Sequence, residues 1–213
     1  MNEVLVSIPM EKRSTYAFLK RTADILVAGV FLLAFLPLFL MIALLIRIDS
    51  PGPVIFRQVR VGKDGKRFNF YKFRSMVKDA EQLKQSLQDQ NEAEQPLFKI
   101  RRDPRITRLG KFLRLSSLDE VPQLFNVLRG DLTLVGPRPH LPEEVREYTE
   151  AHRIRLSVTP GITCLWQANH RLSTKFVDWI ESDIRYVNER SFALDLKILW
   201  DTLITVLSRR NAS

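Results

Sequence analysis

The chain has 213 residues and a hydrophobic content of 45%, enough for one sizeable domain, or for one domain and a membrane segment, but too little for two full domains. Its 33 lysine and arginine residues exceed its 24 acidic residues, and the formal net charge of +9 favours an anionic partner: nucleic acid, lipid headgroups or phosphorylated metabolites. The single cysteine, Cys164, excludes an intrachain disulfide and a typical cysteine-based zinc site, fits a reducing compartment and is predicted to be a small apolar filler.

The first predicted element is a membrane segment over residues 25–46, which contain no charged side chain. About 20 apolar residues suffice to cross a bilayer. A secretory signal peptide is disfavoured, because its apolar region is shorter, about 7–15 residues, and because no small-residue cleavage site follows this run. The length of the run also weighs against a buried core helix of a soluble protein.

The topology of this segment is predicted from its flanks and from Pro37. Both flanks are basic, so both ends favour the cytoplasmic side of a membrane. The flanking residues are Lys12, Arg13, Lys20 and Arg21 before the run, and Arg47, Arg57, Arg60 and Lys63 after it. Pro37 divides the run into two arms, each about half as long as a ~30 Å hydrocarbon core is thick. We favour a re-entrant hairpin, and a kinked spanning helix stays open as the alternative.

The residues after the membrane segment predict a β-hairpin. The prolines and the glycine within residues 49–53 stop the helix. Residues 54–61 and 67–73 are typical of two strands around a turn at 62–65. Lys72 and Arg74 share one face of the second strand, which is either a basic wall or an ordinary solvated face.

Two polar segments follow the hairpin. Residues 78–95 are rich in Gln, Glu, Lys and Asp, which predicts a polar helix or a surface loop. Residues 99–114 contain one acidic residue and many basic ones, a density that suits contact with phosphate or lipid headgroups. The basic residues are Lys99, Arg101, Arg102, Arg105, Arg108, Lys111 and Arg114.

A pair of carboxylates, Asp119 and Glu120, precedes an apolar helical pattern, and two interpretations are open. Ser117 and Glu120 have the spacing of a capping box, which is a purely structural device. Alternatively, the pair marks a site at the start of a helix, where the dipole favours ionised carboxylates and bound phosphates. An ionised aspartate can attack phosphorus once a divalent cation and arginines such as Arg114 neutralise the substrate.

Downstream, Arg138 stands between Pro137 and Pro139. The two prolines have fixed φ angles, so the arginine is held on a stiff backbone. Such an arginine can grip a diphosphate with two parallel hydrogen bonds. The alternative is an ordinary rigid loop with one exposed base.

Taken together, these segments resemble one family. The ordered motifs are Ser-Pro-Gly-Pro-Val at 50–54, Phe-Tyr-Lys-Phe-Arg-Ser-Met at 70–76, Arg-Ile-Thr-Arg-Leu-Gly-Lys-Phe-Leu-Arg at 105–114, Ser-Leu-Asp-Glu-Val-Pro-Gln at 117–123 and Val-Gly-Pro-Arg-Pro at 135–139. With the preceding apolar run, they resemble the bacterial sugar transferases, the monotopic polyprenyl-phosphate phosphoglycosyl transferases that include undecaprenyl-phosphate galactose and glucose phosphotransferases. The chain departs from the family at Cys164, where glycine is usual, and in the Ala-Asn-His-Arg of residues 168–171. The sugar, the pathway and the oligomeric state stay open, with a homodimer among the alternatives.

The resemblance implies a two-step mechanism. Asp119 would attack the phosphorus attached to the sugar of a UDP-sugar, UMP would leave, and undecaprenyl phosphate would take the group from the aspartyl ester. Glu120 would assist, either with Mg²⁺, for which Asp119 and Glu120 would be the ligands, or with the proton of the acceptor. The residues implied in donor binding are Lys72, Arg74, Arg114, Pro137, Arg138 and Pro139.

The same resemblance implies the architecture and the location. We expect a helix-dominated α+β fold with a tail at 1–13, a proline-kinked re-entrant helix–break–helix at 14–48, and a cytoplasmic catalytic domain at 49–213 with a small hairpin sheet. The protein would lie in the bacterial inner membrane, contact membrane lipid and bind no nucleic acid. Apolar residues at helical spacing near the C-terminus, with Trp179 and Trp200, predict either amphipathic interfacial helices or helices packed on the catalytic core.

Two rival functions remain. A membrane-anchored basic scaffold would bind anionic lipid or nucleic acid and would not need Asp119. A soluble aspartyl-phosphate hydrolase would need the nucleophile but not residues 25–46. The histidines His140, His152 and His170 show no metal-ligand spacing and are expected to be surface or packing residues.

Overall fold

The computed structural model describes residues 10–94, 96–100, 102–169 and 176–207. Most of the predicted tail, together with Arg101 and His170, lies outside these ranges. The described chain forms a helix-dominated α+β fold with two small sheets of two strands each, as the sequence predicts.

The apolar segment forms two helices joined at a sharp bend. Helix α1 (Met10–Ala34) ends one residue before Phe35, and α2 (Leu36–Asp49) begins one residue after it. Pro37 lies in the first turn of α2, where its missing N–H costs no helical hydrogen bond. The rings of Phe31 and Phe35 pack 4.5 Å apart at the bend. Among the described helices, no single one has the length and apolarity to cross a membrane, whereas this pair meets both criteria jointly with a bend of 65°.

The predicted hairpin is confirmed. Strands β1 (Ile55–Val61) and β2 (Arg67–Phe73) pair antiparallel, with Ile55 opposite Phe73 and Val61 opposite Arg67. The turn between them uses Asp64 and Gly65, which both have a positive φ. Positive φ is readily adopted by glycine and tolerated by aspartate, so the local sequence is sufficient for this turn.

The polar and basic segments after the hairpin form short helices. Helix α3 (Ala80–Ser86) and α4 (Arg108–Leu115) are separated by a loop that Arg105 anchors, through hydrogen bonds to the Asp103 carboxylate and to the Ala80 carbonyl. The Thr107 hydroxyl accepts from the Gly110 N–H and caps α4. A Cβ at Gly110 would meet the Ser75 carbonyl oxygen at 1.9 Å, so only glycine lets α4 lie this close to the end of the hairpin.

The second sheet pairs two strands that are distant in sequence. Helix α5 (Gln123–Arg129) leads into β3 (Thr133–Val135), which runs parallel to β4 (Gly161–Thr163). Along the chain, β3 and β4 are separated by two short helices, α6 (Pro142–Arg146) and α7 (Glu150–Arg153). Gly136 and Gly161 cross so closely that a Cβ at Gly161 would lie 2.1 Å from the Gly136 nitrogen.

Three C-terminal helices complete the fold: α8 (Leu165–Asn169), α9 (Phe176–Glu189) and α10 (Phe192–Leu207). Helix α9 buries Phe176, Ile180 and Val187, so these apolar positions pack on the core. Trp179 stacks on Trp166 with ring centroids 4.2 Å apart, whereas Trp200 of α10 is 63% exposed.

Polar side chains of α1 join the apolar segment to the rest of the molecule. The Asp24 carboxylate is buried and accepts from the Thr133 hydroxyl at 2.6 Å and from the Leu134 N–H at 3.0 Å. The Arg21 guanidinium donates to two carbonyls at the C-terminal end of α5. These bonds tie α1 to the last carbonyls of α5, of which Val127 also accepts from the Gly130 N–H, so α1 is an integral part of the fold.

Candidate active site

The two acidic residues lie in a short 3-10 turn between α4 and α5. This turn spans Leu118–Glu120, and Ser117 before it has a left-handed φ of 57°. The Ser117 side chain makes no capping hydrogen bond, so the capping-box interpretation is wrong. A serine whose side chain caps a helix typically has an extended backbone, and Ser117 is left-handed instead. The turn leaves Asp119 buried and Glu120 half-buried.

Lys72 of β2 is the cation next to this pair. Its Nζ lies 2.7 Å from the Glu120 Oε1 and 3.8 Å from the Asp119 Oδ2. The ammonium also lies 5.6 Å from the centre of the Phe70 ring, within the range of a cation–π contact. Lys72 and the carboxylate pair were predicted independently from two motifs, and the fold brings them together.

The environment of Asp119 makes its carboxylate basic. Burial raises the pKa of Asp119, the Lys72 ammonium opposes that rise, and the neighbouring Glu120 carboxylate adds to it. Arg114 also lowers the pKa of Asp119 through its charge. A carboxylate that is costly to ionise and has a cation beside it is more nucleophilic than one in water, because its negative charge is poorly solvated.

Arg138 is a second cation near Glu120. Its Nη1 lies 4.0 Å from the Glu120 Oε1. The backbone of the loop is fixed at several points: the Pro137 carbonyl accepts from the Gly161 N–H at 2.9 Å, and the Pro139 carbonyl accepts from Arg60 at 3.1 Å. The stiffness expected from the two prolines is therefore reinforced by tertiary hydrogen bonds.

Two buried charged residues that the sequence analysis did not identify, Arg155 and Asp183, help to fix the Arg138 loop. Arg155 is buried and donates to the Arg138 carbonyl at 2.7 Å. It also pairs with the fully buried Asp183 of α9 and donates to the Tyr148 hydroxyl. The sequence did contain a sign of this pair. Asp183 falls on the apolar face of α9, and a charged residue on an apolar helical face indicates a buried ion pair.

The other two predicted arginines occupy different environments. Arg114 is exposed in the last turn of α4 and acts on Asp119 through its charge. Arg74 is buried and donates to the carbonyls of Ile46, Ser50 and Pro53. The structure therefore places the Arg74 guanidinium at the C-terminal end of α2 and does not group it with the carboxylate pair. Arginine is well suited to that position, because its planar donors satisfy several orphan carbonyls at once.

A metal ion at this centre would have to use few protein ligands. Within the described residues, no group of three or more His, Cys, Asp or Glu side chains has the arrangement of a metal site. Asp119 and Glu120 are nevertheless adjacent, and Mg²⁺ commonly binds through one or two carboxylates together with substrate phosphates and water. The pair therefore fits Mg²⁺ that arrives with a diphosphate.

The histidine and cysteine side chains that the structure describes have packing environments. His140 is buried beside the rings of Tyr148 and Phe176, and its Nδ1 lies 2.7 Å from the Tyr148 hydroxyl. Burial lowers the pKa of His140 well below its usual value, so the ring is neutral. Cys164 is buried, with its thiol donating to the Gln167 side-chain oxygen, and burial raises the pKa of that thiol.

The sequence of this chain is similar to those of several known bacterial proteins. Residues 15–209 match the family model described as Bacterial sugar transferase. The chain is 49% identical over 157 residues to a protein named Galactosyl transferase CpsE of Streptococcus agalactiae, covering 73% of this chain and 35% of that protein. It is 40% identical to the UDP-glucose:undecaprenyl-phosphate glucose-1-phosphate transferase of Escherichia coli, covering 87% of this chain and 39% of the relative. It is 36% identical to the Exopolysaccharide production protein ExoY of Rhizobium meliloti, covering 91% and 87%. The chain thus spans less than half of the first two relatives and most of the third.

A first prediction concerns the cation beside Asp119. Replacing Lys72 with glutamine removes the positive charge that opposes the effect of burial, so we expect the pKa of the Asp119 carboxyl to rise further. The measurement is a ¹³C NMR titration of carboxyl-labelled aspartate. Lys63→Gln, an exposed lysine in the hairpin turn, is the matched control and should leave the titration unchanged. An unchanged Asp119 titration in Lys72→Gln would contradict the assignment.

A second prediction concerns the buried ion pair under the loop. Asp183→Asn leaves the Arg155 guanidinium buried without a counter-charge, and we expect a loss of about 3–5 kcal/mol in the free energy of unfolding. Glu189→Gln on the same helix breaks the exposed pair with Arg185 and should cost less than about 1 kcal/mol. Denaturant unfolding of both variants in detergent tests this, and equal losses would show that the buried pair has no special role.

Proposed function

Because the chain belongs to the bacterial sugar transferase family, we propose that it transfers a sugar 1-phosphate from a UDP-sugar to undecaprenyl phosphate and releases UMP. The observation that carries the proposal is the buried Asp119 carboxylate, held beside the Lys72 ammonium with the Arg138 guanidinium across Glu120. The names of the relatives supply the donor, acceptor and transferred group of the Escherichia coli protein and a role in exopolysaccharide production for the Rhizobium protein. This reaction would be the first membrane step of building such a polymer or a related glycoconjugate.

In the first step, an Asp119 carboxylate oxygen attacks the phosphorus that carries the sugar. A bond forms between that oxygen and phosphorus, the bond from phosphorus to the bridging oxygen breaks, and UMP leaves with the bridging oxygen. The raised pKa of Asp119 supports this role, because a more basic carboxylate is a better nucleophile once it is ionised. Lys72 favours the ionised form and offsets repulsion from the incoming diphosphate.

In the second step, a phosphate oxygen of the acceptor attacks the same phosphorus. The aspartyl ester breaks, Asp119 is restored as a carboxylate, and the product is a polyprenyl diphosphate sugar. Arg138 would bind phosphate oxygens in both steps, and this role is supported by the fixed backbone of its loop, whose Arg138 and Pro137 carbonyls accept from Arg155 and Gly161. Glu120 orients Lys72 through the 2.7 Å contact and is the group available to take a proton from the acceptor phosphate.

In this proposal, Asp119 and Glu120 would hold a Mg²⁺ ion. When bound by Asp119 and Glu120 together with the diphosphate, it would neutralise phosphate oxygens and stabilise the charge on departing UMP. Arg114, exposed one turn before the carboxylate pair, adds positive charge along the path of the donor.

The bent helix pair supports a re-entrant placement in the membrane. The outer faces of α1 and α2 expose large apolar side chains, including Leu26, Leu33, Leu40 and Leu44. Both ends of the pair are basic, so both favour the cytoplasmic face of the bacterial inner membrane. The nucleotide sugar would then reach the carboxylate pair from the cytosol, while the polyprenyl acceptor would arrive from the lipid.

The rival scaffold function is less well supported by the geometry. A protein that only holds anionic lipid has no use for a buried acid at the centre of its basic residues, since burying a carboxylate costs free energy. Here Asp119 is 6% exposed and Glu120 is shared between Lys72 and Arg138. A buried carboxylate beside two cations is therefore better explained by catalysis than by lipid binding alone.

The third prediction tests the nucleophile. Purified protein in detergent with Mg²⁺, undecaprenyl phosphate and a panel of UDP-sugars should release UMP with at least one sugar. In Asp119→Asn, we expect UMP release to fall on the order of 10³-fold or more, because the amide cannot form the ester. Asp201→Asn, which breaks an ion pair with Lys197 within α10, is the control and should keep the activity. Activity that survives in Asp119→Asn would remove it as nucleophile, and silence of folded wild type across the panel would favour the scaffold function.

The fourth prediction tests the topology. The native cysteine is buried, so single cysteines introduced on the two flanks of the helix pair, Ser7→Cys and Lys63→Cys, can be labelled selectively. A re-entrant pair predicts that a membrane-impermeant maleimide labels both positions in inverted vesicles and neither in intact spheroplasts. Labelling of the two positions from opposite sides would establish a spanning helix.

A further inference from the structure

A groove lies directly beside the carboxylate pair, between α1, α5 and α10. Its volume is about 260 Å³, and Ser117 and Glu120 form part of its wall. The rest of the wall is mainly aliphatic and aromatic: Val27, Phe31, Leu124, Ile162, Leu199 and Val206. The groove therefore has a charged residue, Glu120, at its wall and is otherwise lined mainly by apolar side chains.

The polar residues in the deeper wall are engaged with the protein. The Thr163 and Thr202 hydroxyls lie 2.7 Å apart, and the Thr202 hydroxyl also donates to the Ile198 carbonyl. The Gln167 side-chain oxygen accepts from Cys164. Because these hydroxyls already have partners within the protein and the rest of the wall is mainly apolar, the occupant that fits is apolar.

The two helices that form the sides of the groove are also apolar on their outer faces. Helix α1 exposes Leu26 and Val30, and α10 exposes Trp200 and Leu203. Exposed apolar surface on adjoining helices indicates contact with lipid. An apolar chain could therefore slide from the lipid into the groove without crossing water.

A network of polar side chains holds the sides of the groove together. The Asp195 carboxylate of α10 accepts from Lys20 at 2.7 Å and from Tyr16 at 2.8 Å, both on α1. Tyr186 of α9 donates to the same carboxylate and lies 3.0 Å from the Val135 carbonyl. These charge-assisted hydrogen bonds join α10 to α1, the two helices that form the sides of the groove.

We propose that this groove binds the isoprenoid tail of the acceptor, specifically the carbons nearest to its phosphate. The inference rests on the proposed function. The phosphate of the acceptor would lie at Lys72 and Arg138, and the first isoprene units would pack against α1 and α10. The groove is far smaller than a whole polyprenyl chain, so the remainder of the tail stays in the bilayer.

The test fills the groove without touching the charged centre. Leu199→Trp and Val206→Trp place a large ring in the groove wall, and Leu203→Trp on the exposed face of the same helix is the matched control. We expect the KM for undecaprenyl phosphate to rise about tenfold or more in the two groove variants, and to stay unchanged in the control. Farnesyl phosphate should show the same rise, because only the proximal units occupy the groove.

A second readout separates this inference from the proposed function. Formation of the sugar-phosphate ester on the enzyme, measured with labelled UDP-sugar and no acceptor, should persist in the groove variants and also reports that they are folded. Wild type that forms no ester would defeat the proposed function itself. Normal ester formation with an unchanged acceptor KM in both groove variants would overturn the groove assignment alone.

A third measurement uses the wild-type protein, so it holds even if the tryptophan variants do not fold. A farnesyl phosphate analogue carrying a diazirine near its phosphate should cross-link to the groove residues of α1 and α10, and undecaprenyl phosphate should compete. Equal competition by phosphatidylglycerol would assign the groove to bilayer acyl chains. Cross-links confined to exposed residues such as Leu26 would place the tail on the outer surface. Either of these two outcomes would overturn the proposal.

Discussion

Burial of the Asp119 carboxylate is the constraint around which the candidate site is arranged. A carboxylate taken out of water needs nearby positive charge, and here β2 supplies it through Lys72. Glu120 also contacts that ammonium, and the Arg138 guanidinium lies 4.0 Å from the same Glu120 oxygen. The charges of the turn are thus balanced by side chains from β2 and from the Pro-Arg-Pro loop.

The rigidity of this arrangement comes from a second layer of buried polar contacts. The Pro-Arg-Pro loop is held by hydrogen bonds to its carbonyls from Arg60, Arg155 and Gly161. Arg155 is in turn neutralised by Asp183, which is fully buried. Buried ion pairs of this kind add little net stability compared with apolar packing, so their value here is positional: they define where the Arg138 backbone lies.

Helix α1 both lines the groove and forms polar contacts with the rest of the domain, which a simple membrane anchor would not do. Its apolar residues face outward and line the groove, while Lys20, Arg21 and Asp24 bond to α10, α5 and β3. Charged residues at the edge of an apolar helix are costly unless they find partners, and all three find them in the domain that carries the carboxylate pair. The apolar segment and the candidate site are thus parts of one structure, which suits the proposed reaction between a water-soluble donor and a lipid-dissolved acceptor.

The sequence by itself determined the β-hairpin with its turn at 62–65 and the helix-dominated α+β class. These follow from periodicity, proline and glycine, which act over a few residues. The tertiary structure alone decided that Lys72 meets Glu120 across 48 positions of sequence, that Arg74 serves the end of α2, and that Ser117 is left-handed and caps nothing. It also decided the pairing of Arg155 with Asp183 and the groove between α1 and α10. The physical reason is that such contacts depend on how separate elements pack, and packing is set by the summed burial of the whole chain, which no local pattern encodes.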